Sequence, residues 1–442
     1  MNQDLNENVK EGIKEDVVKN INENDSENNE NRSTSRPTDE EIEKKAVIDV
    51  GTTEKVTEVT EKTTDVGDIE GKEINEGSAR IFLNKHVFYN QHMEICRDVM
   101  SLSVSTLPRE LTVCDGMCAS GVRGIRYALE NDNVRHVTFV DMDEAAIALV
   151  MHNLVLNNLD FPAVQSDINH YLYRGGEKFN FVEIDPFGSP VPFVRAALLN
   201  LRASKEGYLS VTATDTAVLC GAQSKACNMY YTSRPLHNYF CHEAGVRILI
   251  GYIARVASPL GLGIQPLLSL SKRHYFKVLL KVKKGAIAAL DSLKQLGYVS
   301  WCPSCFDIRL YNKPFLKEEC GVCSRAHSSH VGVEWAGPLW LGKIEDSNII
   351  TGMKEKNLQR DYKNKKEIMS LLHLLSFDAE MPPFYFDFHA IFDKLNMPSK
   401  KFDTIVKILT ENGFRVTNTH FCQTAIKTDA PAEVVLDAVK RA

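Results

Sequence analysis

The chain has 442 residues, 43% hydrophobic and 25% charged, with a formal net charge of −6. That apolar share builds a real core and excludes collagenous, mucin-like and wholly disordered chains, and the length suits two or three domains. The acidity is local: residues 1–73 hold 10 Lys and Arg against 21 Asp and Glu, leaving a mildly basic body that permits a nucleic-acid partner.

Residues 1–73 are rich in Asn, Glu, Asp and Ser. Such a segment cannot bury enough apolar surface to offset the entropy of ordering, which predicts a disordered acidic tail. The first thirty residues lack the apolar run of a secretory signal, and the uncharged stretch 256–271 is broken by Pro259 and Pro266. No membrane association is therefore expected. Eleven cysteines without a secretory signal point to a reducing, intracellular compartment, nucleus or cytoplasm.

Order is expected from Ile74. Residues 111–114 read as a strand ending at Asp115, 122–130 as a helix, and 136–140 as a strand ending at Asp141. Residues 144–156 follow as a helix, 163–165 as a strand before Asp167, 179–184 as a strand ending at Asp185, and 208–214 as a further strand. This alternation predicts an α/β fold, a Rossmann-like doubly wound sheet over residues 74–285, closed by a strand at 274–282. Ligands sit at the carboxyl ends of such strands, where these aspartates fall. Residues 286–442 predict a smaller α+β domain. It holds a Lys-rich helical stretch over 353–375, helices at 390–394 and 399–411 around Pro398, and short strands at 414–417 and 424–427. Helix–turn–helix plus hairpin is a winged-helix-like pattern suited to nucleic acid; a small appendage that only packs is the alternative.

The run Asp115-Gly116-Met117-Cys118-Ala119-Ser120-Gly121-Val122-Arg123-Gly124 joins a strand to a helix. Small residues let the backbone approach a ligand, and the helix N-terminus offers free amides. Asp141, ending the next strand, falls where a carboxylate holds a ribose diol. The loop is not G-x-G-x-x-G, which favours S-adenosylmethionine over a nicotinamide cofactor; an ordinary strand–helix turn is the bland alternative. Asp185-Pro186-Phe187-Gly188 is similar to the Asp/Asn-Pro-Pro-aromatic pattern of methyltransferases that act on exocyclic amino groups. Such an amino group is a poor nucleophile, and a carboxylate accepting its N–H favours the positive charge that develops on methylation.

Cys302-x-x-Cys305 and Cys320-x-x-Cys323, fourteen residues apart, offer four thiolates to a tetrahedral zinc ion, with no position left open for catalysis. The other seven cysteines show no metal spacing, and His242-Glu243 reads as structural because no histidine follows four residues on.

Together these pieces resemble one family, the tRNA guanine-N2 dimethyltransferases acting at tRNA position 26. The resemblance runs from about Ile74 to the C-terminus. It rests on Val87-Phe88-Tyr89-Asn90, Arg97-Asp98, Gly121-Val122-Arg123-Gly124-Ile125-Arg126-Tyr127, Asp185-Pro186-Phe187-Gly188-Ser189-Pro190, Val211-Thr212-Ala213-Thr214-Asp215, Leu219-Cys220-Gly221-Ala222, Cys241-His242-Glu243, Gly337-Pro338-Leu339-Trp340-Leu341-Gly342 and Thr424-Ala425-Ile426-Lys427-Thr428. It implies an S-adenosylmethionine-dependent enzyme forming N2-methyl- and then N2,N2-dimethylguanosine. Asp185 would be the catalytic carboxylate, with Phe88 and Phe187 sandwiching a flipped base. Arg97, Arg123, Asp141, Asp167 and Ile168 would bind the cofactor: Asp141 at the ribose hydroxyls, Arg97 or Arg123 at the carboxylate, Ile168 near the adenine. The C-terminal domain would hold tRNA, with no obligate protein partner evident. Gln91 and Cys96 stand where the family has proline and asparagine, which implies altered loop stiffness. The rivals are a catalytically inactive tRNA-binding protein of the same fold and a nucleotide-dependent oxidoreductase.

Overall fold

The computed structural model describes residues 70–202, 204–314, 320, 322–323 and 333–442; the expected acidic tail up to residue 69 lies outside the described residues. The described chain opens with a hairpin, β1 (Gly71–Glu76) and β2 (Ala79–Asn84), and a helix α1 (Glu94–Ser105). Six elements alternate next: β3 (Leu111–Gly116), α2 (Val122–Glu130), β4 (Val134–Asp141), α3 (Glu144–Leu156), β5 (Ala163–Gln165) and α4 (Ile168–Arg174). Then come β6 (Phe181–Ile184), α5 (Val191–Leu201), β7 (Glu206–Ala213), the short helices α6 (Thr216–Leu219) and α7 (Ser224–Tyr231), and the long α8 (Cys241–Ala257). A hairpin of β8 (Leu262–Lys272) and β9 (Tyr275–Lys284) completes the central sheet.

The sheet order is β5-β4-β3-β6-β7-β9-β8. The first five strands are parallel, and β9 runs antiparallel to both neighbours. Helices cover both faces because the strands are apolar on both faces. α2 and α3 bury Ile125, Tyr127, Ile147 and Val150 on one side, while α4 and α5 bury Ile168, Leu172, Val194 and Leu198 on the other. Winding therefore reverses between β3 and β6, and a crevice opens at their carboxyl ends.

The strand predicted at 179–184 begins two residues later, at Phe181. β8 is unannounced by any alternation: Pro266 sits at a register shift in this edge strand, the position where a sheet tolerates proline. The Lys-rich helical stretch expected over 353–375 falls on two helices, α10 (Ser347–Gln359) and α11 (Lys365–Asp378), which follow α9 (Ala286–Lys294). Arg360 breaks the helix in an extended conformation, its guanidinium drawn to the Glu130 carbonyl and Asn131, while the Tyr362 hydroxyl donates to Glu130 at 2.6 Å.

Between α9 and α10 lies a three-stranded antiparallel sheet of β10 (Leu296–Trp301), β11 (Ile308–Tyr311) and β12 (Glu334–Trp340), with β10 central. α8 presses on β12 at Gly251, where an added Cβ would lie 3.1 Å from the Leu339 Cα. A mid-helix glycine costs about 1 kcal/mol against alanine, which this close approach offsets. α10 and α11 bury Ile350, Met353, Ile368 and Leu372 in the same core as α1 and α2. The last segment runs β13 (Phe386–Asp387), α12 (Phe388–Leu395), α13 (Phe402–Glu411), β14 (Val416–Asn418), β15 (Ala425–Thr428) and α14 (Ala432–Arg441). Its antiparallel sheet and helices share a core of Ile391, Ile405, Leu409 and Val435, matching the helix–turn–helix and hairpin expected here. Glu243 of α8 ties this segment down through Lys427 at 3.1 Å and the Phe384 N–H at 3.0 Å.

Candidate active site

The crevice is built from the strand ends upward. Asp115 is buried and accepts the Gly124 N–H at 2.9 Å, fixing the first turn of α2. Burial pushes its carboxyl up to about 8, against the opposing pull of Arg123. At Gly116 an added Cβ would lie 2.9 Å from both the Glu183 carbonyl and Ile168 Cδ1, so only glycine closes this corner. Met117 and Ala119 take left-handed conformations, with φ of 58° and 48°. Each costs about 1–2 kcal/mol for an L-residue and needs an external brace. The brace is the end of β4: the Val140 carbonyl accepts the Met117 N–H at 2.8 Å, and Asp141 accepts the Ala119 N–H at 2.9 Å. The second Asp141 oxygen accepts the Asp143 N–H at 3.0 Å. An ionised carboxylate has about four acceptor sites, so two remain for ligand hydroxyls. Asp167 is exposed and caps α4 through the His170 N–H at 2.9 Å, and Ile168 is buried beside it. Small loop, diol-facing acid and apolar floor fit S-adenosylmethionine.

Asp185 leaves the end of β6 with its side chain 25% exposed, and Arg123 forms a close ion pair with it. Burial alone would raise the Asp185 carboxyl, but Arg123 and then Lys277 pull it down to about 2. Beneath lies Glu183, fully buried, which pairs closely with Lys277 and accepts the Tyr127 hydroxyl at 3.0 Å. Lys277 also donates to the Thr212 hydroxyl at 2.9 Å. Arg123 Nη1 is buried without a partner. Glu183 and Lys277 escaped the sequence reading, although a signal existed. Each interrupts an apolar strand, in Phe181-Val182-Glu183-Ile184 and Tyr275-Phe276-Lys277-Val278, and a charge there must be paired.

Phe88 and Phe187 meet edge to face, centroids 4.7 Å apart and planes at 82°, although they are 54% and 77% exposed. The structure thus brings the two expected stacking rings together, but against each other. The backbone behind Phe187 is clamped. Thr214 Oγ1 accepts the Gly188 N–H at 2.6 Å, and the Thr214 N–H donates to the Gly188 carbonyl at 3.0 Å. The Tyr231 hydroxyl bridges Ser189 and Asp215 at 2.9 Å each. Gly188, at φ 82°, makes the turn that this clamp closes.

Arg97 is deployed differently. It makes a two-pronged pair with Glu76, at 2.6 and 2.5 Å, and donates to the Asn90 carbonyl at 3.2 Å. It thereby steadies the segment that carries Phe88, and among the expected cofactor ligands its guanidinium is the one most fully committed elsewhere. A cavity of about 580 Å³ among Gln265, Lys283, Trp340 and Glu345 contains none of the candidate residues.

The four cysteines expected to bind zinc converge, their sulfurs all within 4.8 Å of one another. Cys302 and Cys323 are 3.9 Å apart and Cys305 and Cys320 3.5 Å. Four sulfurs about 2.3 Å from a tetrahedral ion stand about 3.8 Å apart, so the set fits zinc; the separations are far too long for disulfides. On α13 Lys407 is exposed, and just before the helix Lys401 is exposed and Lys400 half-buried. Among the described residues no helix is long and apolar enough to cross a membrane.

Comparison with known proteins finds relatives over most of the chain. The family model described as N2,N2-dimethylguanosine tRNA methyltransferase matches residues 61–440. A tRNA (guanine(26)-N(2))-dimethyltransferase of Thermococcus kodakarensis is 37% identical over 394 residues, 83% of this chain and 98% of that protein. The one from Methanobrevibacter smithii is 34% identical over 359 residues, 80% of this chain and 91% of that protein. A solved Pyrococcus horikoshii structure, a complex with S-adenosyl-L-methionine, superposes with a TM-score of 0.74 at 33% identity, covering 83% of this chain and 99% of its own.

Proposed function

The chain belongs to the N2,N2-dimethylguanosine tRNA methyltransferase family, and from that premise we infer that it methylates the exocyclic N2 of guanine 26 in tRNA, once and then twice, at the Asp185 carboxylate. The observation that carries this reading is Asp185 itself: a partly exposed, ionised carboxylate at the switch point of the sheet, beside two exposed aromatic rings.

S-adenosylmethionine supplies an electrophilic methyl group. Asp141 offers its free acceptor sites to the ribose hydroxyls, Asp167 and Ile168 flank the adenine, and Arg123 holds the carboxylate through its open Nη1, with Arg97 supporting from behind. Arg123 thus keeps Asp185 ionised through its paired nitrogen while Nη1 would take the cofactor carboxylate, and Asp185 retains acceptor capacity for a guanine N–H.

Asp185 orients rather than deprotonates, because a carboxyl held at about 2 is a weak base. It accepts an amino N–H, turns the nitrogen lone pair toward the methyl, and stabilises the positive charge that develops. Phe88 and Phe187 hold the base plane once parted. Each transfer leaves a cationic, strongly acidic nitrogen that sheds one proton to solvent; after the first it keeps one N–H for Asp185 and after the second none, so the chemistry ends at two methyls and the product loses its anchor. The four-cysteine set would hold a structural zinc that pins β10 to β11. The C-terminal helices and their lysines would grip tRNA. The substrate makes the enzyme intracellular, in nucleus or cytoplasm. An inactive tRNA-binding protein is disfavoured because Asp141 and Asp185 are both retained, at the ends of β4 and β6.

The test is nucleoside mass spectrometry after incubating an unmodified tRNA transcript with the protein and S-adenosylmethionine, beside a transcript carrying adenine at position 26. Dimethylguanosine in the first alone is expected. No methylated guanosine in either would replace the enzyme with a binding protein, and methylation in both would keep the chemistry and discard the position.

A further inference from the structure

Away from the four-cysteine set, a second group of metal-ligating side chains comes together. Cys220 directly follows α6, and Cys241 and His242 open α8, twenty-one residues further on. The two sulfurs and one ring nitrogen all lie within 4.8 Å of one another. All of these cysteines are free thiols. Cys220 is buried, while Cys241 and His242 are half-buried, so one side of the group faces outward.

We propose that Cys220, Cys241 and His242 form a second metal site, a three-ligand zinc centre completed by water. Two thiolates and a neutral imidazole are the donor set that borderline-soft, tetrahedral zinc prefers, and carboxylate-seeking cations do not suit it. Ligand atoms of a tetrahedral zinc stand about 3.3–3.8 Å apart, so the present spread needs only side-chain adjustment.

The surroundings are pre-organised for it. Cys220 is followed by Gly221 at φ 89°, where an added Cβ would lie 2.8–2.9 Å from the Leu236 and His237 backbone. The turn is thus docked directly on the segment that leads into α8. His237 Nδ1 donates to the Cys220 carbonyl at 3.0 Å, a second tie across the same gap. The His242 ring sets its edge toward Phe276, with centroids 6.3 Å apart. Binding deprotonates the two thiols, so each ion taken up releases two protons to solvent.

The position gives the site a role. Cys220 lies five residues beyond Asp215, part of the clamp on the Phe187 loop, and His242 precedes Glu243, which binds Lys427 and the Phe384 N–H of the C-terminal segment. A metal here staples the back of the base pocket to the helix that anchors the C-terminal segment.

The test is elemental analysis of the full-length protein purified from zinc-supplemented cells. Cys220→Ser/Cys241→Ser is expected to carry one zinc per chain fewer than the unmutated protein, and Cys302→Ser/Cys320→Ser also one fewer. His242→Ala, which leaves both thiols, should lose the same zinc as the first variant. Should those variants not fold, the unmutated protein decides. Alkylation of Cys241, read by peptide mass spectrometry, should quicken at least tenfold after treatment with a zinc chelator. An unchanged zinc count in the Cys220/Cys241 variant, a chelator-insensitive Cys241, or a Cys220–Cys241 disulfide in the purified protein would each overturn the proposal.

Discussion

Two buried charge networks stand on either side of α2, and they are finished to different degrees. Around Arg126, Glu76 lies at 2.9 Å, Asp98 at 2.6 Å and Glu130 at 2.8 Å, with Arg97 closing on Glu76 and Ser101 and Tyr362 on Glu130. None of these charged side chains leaves a buried polar atom unpaired. Around Arg123, three residues earlier, Glu183 and Lys277 are equally buried, but the network ends at a partly exposed Asp185 and an Arg123 Nη1 without a partner. A saturated network can only hold elements together. An unsaturated one, opening into a crevice, has acceptor and donor capacity left for a ligand.

The largest expected effect tests the saturated side. Arg126→Leu takes a guanidinium from three buried carboxylates and leaves Asp98 without a cation, and loss of one partner from a buried pair costs about 3–5 kcal/mol. Urea unfolding should show that loss, while the protein that remains folded keeps its kcat; a drop below about 1 kcal/mol would mean water already satisfies the network. On the open side, Asp185→Ala should lower kcat by about 10²–10³-fold, the scale of losing one preorganised electrostatic contact, with tRNA retention on filters unchanged. Near-normal turnover would move catalysis to another residue.

Phe187→Ala removes one stacking face. Base–aromatic stacking is worth about 1–3 kcal/mol, so kcat/KM for tRNA should fall about 5–150-fold while cofactor affinity stays put. Tyr231→Phe deletes the hydroxyl that links Ser189 to Asp215. One hydrogen bond of about 1 kcal/mol predicts a roughly fivefold lower kcat. An equal loss in melting temperature and activity would reduce Tyr231 to a packing residue.

The smallest effect is a contrast in pH. Arg97 and Arg126 outweigh burial and hold Glu76 at about 2, so its contribution to stability is present above its ordinary 4.5 and lost as pH falls toward 2. Asp115 runs the other way. Burial lifts it from 3.8 to about 8, so its contribution is present below 3.8 and fades as pH rises through 8. Asp115→Asn, which cannot ionise, should therefore flatten the decline in stability between about pH 4 and pH 8; an unaltered decline would assign the slope to another group.

Much of this was legible beforehand. α2 and α3 run over the residues that apolar periodicity marked, and β3 through β7 fall where runs of apolar residues meet an aspartate. Such elements declare themselves because each buries its own repeating face. β8 did not, because Pro266 disguises an edge strand, nor did the break at Arg360, which local propensity would carry straight through. Gly221 against Leu236 and the meeting of Cys220 with Cys241 are likewise products of distant segments packing together. The site divides the same way. Asp141, Asp185, Phe88 and Phe187 sit in readable motifs, whereas Glu183, Lys277, Thr214 and Tyr231 have a role only through what they touch.

The order of strands and helices, the aspartates at the strand ends, the cysteine knuckles and the kinship with a tRNA methyltransferase family were all readable in the chain before it folds, because periodicity and motif spacing are properties of short stretches. Which charges are satisfied and which stay open was settled by the packing of distant segments. The resemblance marks Arg97 and Arg123 alike for the cofactor, yet Glu76 closes around the first and the crevice opens beside the second. A side chain's partners are chosen by packing across the fold, and no local pattern encodes them.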